Sequence, residues 1–286
     1  MKLNYSAAQL KKTAQQLRLD MVESLYQAGS GHPGGSLSIA ELMSVLFFHE
    51  MDIDPKNPGW EDRDRFVLSK GHAAPAYYAA LANRGYFDRD ILKTLRKTDS
   101  ILQGHPDRKK VPGVDMSTGS LGQGISAACG MAYYGKDRNK DFHVYCILGD
   151  GELQEGQVWE AAMSAGHFKL NHLIAFLDNN NLQIDGSVDK VMSVYPLREK
   201  FEAFNWNVLE IDGNCVEEIL KAVQEAKQCE DKPTIIICKT VKGKGVSFME
   251  NQAGWHGTTI NEEQYKIAVR ELTEQLSDAE KGCLEQ

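Results

Sequence analysis

A chain of 286 residues, 42% hydrophobic and 25% charged, has apolar sequence enough for a real core and the balance of an ordinary soluble α/β protein. Its formal net charge of −8 argues against a nucleic-acid binder, which would carry a basic stripe. No apolar run approaches the roughly 20 residues of a membrane span, and Met1 to Lys12 lacks the apolar stretch of a signal peptide. The six cysteines form no C-x-x-C pair, and Cys146 and Cys238 sit inside apolar, strand-like runs. Buried free thiols in a cytoplasmic protein are the expectation, because no spacing supports zinc or a thiol nucleophile.

From the amino terminus, Leu10, Ala14, Leu17, Met21 and Leu25 recur at helical spacing and predict a helix over Ser6 to Ala28, with Gly29 able to end it. Ser30 to Ser36 reads as a Gly-rich loop. Ser38-Ile39-Ala40-Glu41 reads as a capping box opening a helix to about Glu50. The stretch from Asp54 to Gly59 is loop, and Arg65 to Ser69 a short strand. Helices follow around Pro75–Ala82 and Asp90–Lys97, and a long loop spans Ile101 to Ser120. The second half alternates more cleanly. Strands are expected at Phe142–Leu148, His172–Asp178, Trp206–Ile211 and Thr234–Lys239, and helices at Gln154–Gly166, Val216–Lys227 and Asn261–Leu276. Strand–helix alternation with near-continuous apolar strands predicts a parallel sheet with helices on both faces. No repeat or linker is visible, so one domain over residues 1–286 is the simplest reading. In such sheets ligands bind beyond the carboxyl ends of the strands.

The sharpest chemical signal is Gly149-Asp150-Gly151-Glu152 with Asn179-Asn180-Asn181 about 30 residues later. Each follows an expected strand, and a helix lies between, as in one βαβ unit. Both loops then meet at the same sheet edge. A carboxylate, an amide oxygen and a free carbonyl there suit a hard cation such as Mg²⁺ or Ca²⁺, which commonly shares its oxygens with phosphate. Flanking glycines let a diphosphate approach the backbone. Either piece alone is an ordinary Asp-Gly turn or Asn-rich loop; together, in this strand context, they point to a site.

G-D-G followed about 30 residues later by N-N resembles the thiamine-diphosphate motif. Further matches narrow the resemblance to transketolases: Ser30-Gly31-His32-Pro33-Gly34, Lys70-Gly71-His72, Gly104-His105-Pro106, Thr118 to Gly124, Glu155 to Glu160 and Trp255-His256-Gly257. They stand in family order over nearly the whole chain. The resemblance implies the diphosphate-binding fold of these enzymes, with thiamine diphosphate as cofactor and Mg²⁺, for which Ca²⁺ or Mn²⁺ can substitute. Asp150, Asn180 and the carbonyl of Leu182 match the metal ligands. Gly151 and His72 match diphosphate contacts, and Gly119 and Leu121 match positions beside the aminopyrimidine. His32, His105 and His256 match histidines of the substrate channel, and Glu155 and Glu160 match a hydrogen-bond network across the subunit interface. Imidazole, titrating near 6.5 when unperturbed, suits proton transfer in both directions of a ketol cleavage. His49, His143, His167 and His172 lack such a context and are expected to be surface or capping residues.

Two departures bear on the substrate. Ser120 stands where full-length transketolases commonly have Pro. Lys239 to Gly245 is more basic than in many of them and is similar to deoxyxylulose-phosphate synthases. Lys242 and Lys244 therefore either sit near phosphate or, as is commoner for lysines, face solvent; they form no P-loop. Single-chain transketolases are more than twice as long, and no match to their pyrimidine-binding or carboxy-terminal domains is seen. The resemblance thus implies the amino-terminal subunit of a transketolase that works on sugar phosphates, completed by a separate carboxy-terminal subunit in an α₂β₂ assembly. The competing readings are a piece of a deoxyxylulose-phosphate-synthase-like enzyme and a catalytically silent binding paralogue.

Overall fold

The structure, a computed structural model, describes residues 2–284, with side chains to Lys281. Helix α1 (Ala7–Ala28) begins as expected. Ser6 Oγ accepts from the Gln9 N–H and Gln9 Oε1 from the Ser6 N–H, and Gly29 closes the helix in the left-handed region at φ 59°. Leu10, Ala14, Leu17 and Met21 are fully buried along its inner face. The segment read as a Gly-rich loop contains a short helix, α2 (Pro33–Leu37), with Pro33 in its first turn. The expected capping box at Ser38 does not form. Helix α3 (Ala40–Val45) has no side-chain cap, because tertiary partners take both residues: Ser38 Oγ donates to Asp178 (2.7 Å), and Glu41 pairs with the buried Arg18 (2.6 Å). A π-helical turn (Leu46–Glu50) continues it to the expected end.

Strand β1 (Arg65–Leu68) is followed by α4 (Ala74–Arg84). The expected helix at Asp90–Lys97 is a 3₁₀ stretch, Arg89–Thr94. After the long loop comes α5 (Gln123–Asp137), which residue order does not announce; three glycines within it mask its helical propensity. Then follow β2 (Val144–Gly149), α6 (Gly156–His167) and β3 (Leu173–Asn179). A small hairpin of β4 (Leu182–Gln183) and β5 (Gly186–Ser187) leads into α7 (Val188–Met192) and α8 (Leu197–Ala203). Last come β6 (Asn207–Asp212), α9 (Val216–Lys227), β7 (Thr234–Lys239) and α10 (Glu262–Leu284).

The five longer strands form one parallel sheet in the order β1-β2-β3-β7-β6. Alternate residues feed two cores. Tyr145, Ile147, Ile174, Phe176 and Ile236 face the layer holding α1, α3, α4 and α9, whereas Cys146, Leu148, Ala175, Leu177 and Ile235 face α5, α6 and α8. Right-handed crossovers put helices of same-direction steps on one face and the helix of a reversed step on the other. Accordingly Leu197 and Phe201 of α8 share a core with Val158 and Ala162 of α6, while Ile219 and Val223 of α9, on the return from β6 to β7, join the opposite one. Cys129, Cys146 and Cys238 are buried and, with Cys215 and Cys229, free; the side chain of Cys283 lies outside the described residues. Among the described residues no helix is long and apolar enough to cross a membrane.

One close approach fixes how α6 meets the turn before β6. A Cβ on Gly166 would lie 1.8 Å from the Phe204 carbonyl oxygen, a backbone atom that no rotamer change moves. Gly166→Ala is therefore expected to destabilise the chain by about 1–3 kcal/mol or more, as overpacking does. A urea midpoint equal to that of the parent chain would rule this out.

Candidate active site at the carboxyl edge of the sheet

Four strand ends deliver the polar residues to one edge. β1 ends in Ser69-Lys70-Gly71-His72, β2 in Gly149-Asp150-Gly151, β3 in Asp178-Asn179-Asn180, and β7 leads to Thr240-Val241-Lys242. The register Gly149↔Asp178 makes the two motif loops neighbours, as their spacing predicts. They border a cavity of about 360 Å³ lined by His32, Lys70, His72, Gly119, Leu121, Asp150, Gly151, Glu155, Asn180, Leu182, Lys242 and His256 among others. Two glycines let its wall close. A Cβ on Gly71 would come within 2.7 Å of Thr118 and Gly119, and one on Gly119, at φ 154°, would press on the His105 ring at 3.1 Å.

Three buried carboxylates organise the edge. Glu152 accepts from Ser69 Oγ (2.5 Å), Gly122 N–H (2.9 Å) and Gly149 N–H (3.1 Å), joining the loops after β1 and β2 to the start of α5. Asp150 accepts the N–H groups of Gly151 (2.8 Å) and Asn181. Asp178 is fully buried and receives Lys70 Nζ (2.5 Å), Ser38 Oγ, Asn180 Nδ2 (3.1 Å) and Thr240 Oγ1. Burial, the largest single influence, would raise its pKa, but the Lys70 charge together with the hydrogen bonds from Lys70, Thr240 and Ser38 holds the carboxyl below its ordinary range. Asp150 has no such cation against it. Burial, and then the charge on Asp178, push it up to about 7.

The histidines cluster as the motifs predict. Ring centroids lie 5.2 Å apart for His32–His72, 5.6 Å for His32–His256, 5.0 Å for His72–His256 and 6.5 Å for His32–His105. Their environment changes the chemistry expected from an unperturbed imidazole. Burial, then Arg96, lowers His32 to about 4; burial, then Lys242, lowers His256 to about 3. His72 and His105 shift the same way, burial leading in both. At neutral pH all four are neutral rings that can accept a proton or a hydrogen bond. His32 Nδ1 is buried without a partner among the described residues. Of the four histidines without such a context, His143 and His172 are stacked on each other at 4.7 Å and His49 bonds the Tyr5 carbonyl, away from the cavity.

Of the two lysines left open by the sequence, Lys244 is half-buried beside Glu250, whereas Lys242 is buried in the cavity wall. Lys242 Nζ lies 3.0 Å from both the Leu182 carbonyl and His256 Nδ1, and burial, then Lys70, lowers it to about 8. The commoner expectation, a solvent-facing lysine, is thus wrong for Lys242. Lys70, Glu152 and Asp178 are site residues that sequence reasoning misses. The first lies within a quoted motif and the second directly after Gly151, but nothing local signals that Asp178 is buried among donors. Glu155 sits at the cavity mouth, and Glu160 projects from the exposed face of α6, outside the lining.

Known proteins place this arrangement. Residues 9–276 match the family described as transketolase, thiamine diphosphate binding domain. The chain belongs to that family. Among its transketolase relatives is the 6-deoxy-6-sulfo-D-fructose transketolase subunit of Clostridium sp. (strain MSTE9), 49% identical over 263 residues, covering 92% of this chain and 96% of that protein. One of the subunits of the apulose-4-phosphate transketolase of Phocaeicola vulgatus is 41% identical over 272 residues, covering 95% of this chain and 96% of that one. Human transketolase is 46% identical over 278 residues, which are 95% of this chain but only 43% of that protein. The crystal structure of transketolase from Campylobacter jejuni superposes with a TM-score of 0.87 at 37% identity, over 92% of this chain and 42% of that one. The chain therefore spans less than half the length of the full-length transketolases it matches.

The cavity fits the transketolase cofactor on its own terms. Its backbone wall of Gly35, Gly149 and Gly151 leaves room for a diphosphate, and Lys70, Lys242 and His72 make it receptive to anions. Asp150 is a buried carboxylate that a divalent cation would relieve. Among the described residues no three His, Cys, Asp or Glu side chains converge as a metal site. A cation here would rest on one carboxylate, the Asn180 amide and the Leu182 carbonyl, with positions left for diphosphate oxygens, an arrangement suited to Mg²⁺.

Proposed function

We propose that this chain is the diphosphate- and metal-binding subunit of a split transketolase that moves a two-carbon ketol unit from a ketose phosphate to an aldose. The observation that carries the reading is the pair of coverages: nearly all of two proteins named as transketolase subunits, and less than half of single-chain transketolases. Asp150, Asn180 and the Leu182 carbonyl would hold Mg²⁺. Gly151 and His72 would hold the diphosphate, and Gly119 and Leu121 the edge of the aminopyrimidine. Thiamine diphosphate, when bound, supplies the carbon nucleophile and electron sink. The chain's own part is to position it and handle protons: His32 and His256, neutral rings lining the cavity, and His105, exposed outside that lining with its ring 6.5 Å from His32, take and return protons at the sugar's hydroxyl and carbonyl oxygens.

The second subunit would bring the acid that activates the aminopyrimidine. Tyr133 and Tyr134 at the end of α5 and Met163 and Phe168 at the end of α6 are exposed apolar side chains, and Glu155 and Glu160 stand along the same helix. That concentration supports a covered face, and an α₂β₂ assembly would cover it. The sulfosugar named for the 49%-identical relative favours a second reading of the donor, in which the anionic end is a sulfonate and not a phosphate.

Reconstitution tests the reading. The purified chain, given a ketose phosphate or its sulfonate counterpart, an aldose, thiamine diphosphate and Mg²⁺, is expected to show no turnover until the cognate second subunit is added. Robust turnover by the chain alone sinks the split-enzyme reading. Silence of the pair with every ketose donor favours a binding paralogue, and turnover on pyruvate a synthase.

A further inference from the structure

Asp178 is fully buried at the edge of the cavity, and both of its oxygens are taken by donors of the chain itself. Its side chain gathers donors from four separate segments: Ser38 before α3, Lys70 after β1, Asn180 after β3 and Thr240 after β7. Lys70 is additionally fixed to the Gly35 carbonyl at 2.6 Å. The contact with Asn180 differs in kind from the others. An ionised carboxylate can only accept, so the end of the Asn180 amide that meets Asp178 must be the NH₂. The amide oxygen is thereby turned the other way, where it accepts the Leu182 N–H at 3.1 Å; both Asn180 and Leu182 line the cavity. Two contacts thus fix the amide: the Leu182 N–H holds its oxygen, and Asp178 is the side chain that holds its nitrogen.

We infer that Asp178 is the positioning residue of the cation site: its carboxylate orients the Asn180 amide so that oxygen, not nitrogen, faces the metal, while Lys70 balances its charge. The inference rests on the reading of Asp150, Asn180 and Leu182 as the ligands of a divalent cation. It extends that reading by one residue that acts only through another. Partners that orient metal ligands in this way typically matter by about 10–100-fold in metal affinity. Replacing Asp178 with Asn removes its share of the discrimination, because a primary amide offers both a donor and an acceptor and pairs with Asn180 in either orientation, leaving the Leu182 N–H alone to hold the oxygen.

The test uses the full chain, Mn²⁺ as the spin probe and inorganic diphosphate as the co-ligand, with Mn²⁺ affinity read by electron paramagnetic resonance. Asp178→Asn is expected to weaken Mn²⁺ binding by about 10–100-fold. The decisive comparison is the cost of Asn180→Ala in two backgrounds. It should be at least about tenfold in the native chain, and smaller by about threefold or more once Asp178 is Asn, because residues acting as one unit are not additive. Should Asp178→Asn fail to fold, with Lys70 left buried and unpaired, the same comparison is made in D178N/K70M, where the two charges leave together. Equal costs of Asn180→Ala in both backgrounds overturn the inference and leave the cation site standing. Absence of any diphosphate-dependent Mn²⁺ binding by the native chain overturns the site itself, and the inference with it.

Discussion

Asp150→Ala is expected to abolish metal-dependent retention of thiamine diphosphate. Among the described residues Asp150 is the buried carboxylate bordering the cavity whose hydrogen bonds come from two backbone N–H groups alone, whereas Glu152 also holds Ser69 Oγ and ties three segments together, and Asp178 is paired with Lys70. Without it, a cation would have only an amide and a carbonyl, both neutral, to offset the repulsion between itself and the lysines. The loss should exceed the roughly 10–100-fold that removing a mere supporting partner costs. Calorimetry with Mg²⁺ and thiamine diphosphate, the second subunit present, measures it. A mutant with the parent's cofactor affinity would remove Asp150 from the site. Asp150→Asn serves as the control for packing, because it keeps the side chain's shape and can accept one of the two N–H groups, of Gly151 or of Asn181, while giving up the charge.

The histidines should divide by role. His32→Ala and His256→Ala are expected to lower kcat by about 10²–10⁴, the usual cost of a lost general acid or base, with cofactor affinity changed far less. His72→Ala should instead raise the cofactor concentration needed for half-maximal activity. The geometry supports the division. His72 packs beside Gly35 and Lys70, whereas His32 keeps a buried Nδ1 with no partner among the described residues and His256 shares a contact with Lys242. Because burial and neighbouring cations already keep these rings neutral, the activity they support should not decline on the alkaline side through their titration. Steady-state kinetics against cofactor and donor concentration separates the cases. Loss of cofactor affinity in His32→Ala with none in His72→Ala would show the roles reversed.

Much of the fold is legible in residue order because the relevant signals are local. The strands announce themselves as apolar runs, α9 and β7 have the expected ends, and the Asp150…Asn180 spacing follows directly from one βαβ unit. What fails is decided by distant partners. Ser38 and Glu41 have the form of a capping box, yet a buried aspartate and a buried arginine bind them more strongly than a helix end does. Helix α5 is poor in local propensity and owes its existence to packing on the sheet through Ile125, Ala128 and Ala132. Lys242 looks like any lysine in a basic loop until the chain brings that loop back over Leu182. The histidines are correctly grouped by motif, but their neutrality arises from burial that no single loop encodes.

The junction beneath the cavity has a consequence for how the chain reaches its working state. Asp178 meets Ser38, Lys70 and Thr240 across 140, 108 and 62 residues of sequence, so each contact closes a long loop. Such closures cost chain entropy before any contact rewards them. The junction therefore requires that β1, β2, β3 and β7 have joined one sheet. A nascent chain that has not yet delivered β7 lacks the Thr240 and Lys242 that complete the pocket. Any ligand that enters the finished pocket correspondingly stabilises the whole sheet, not one loop.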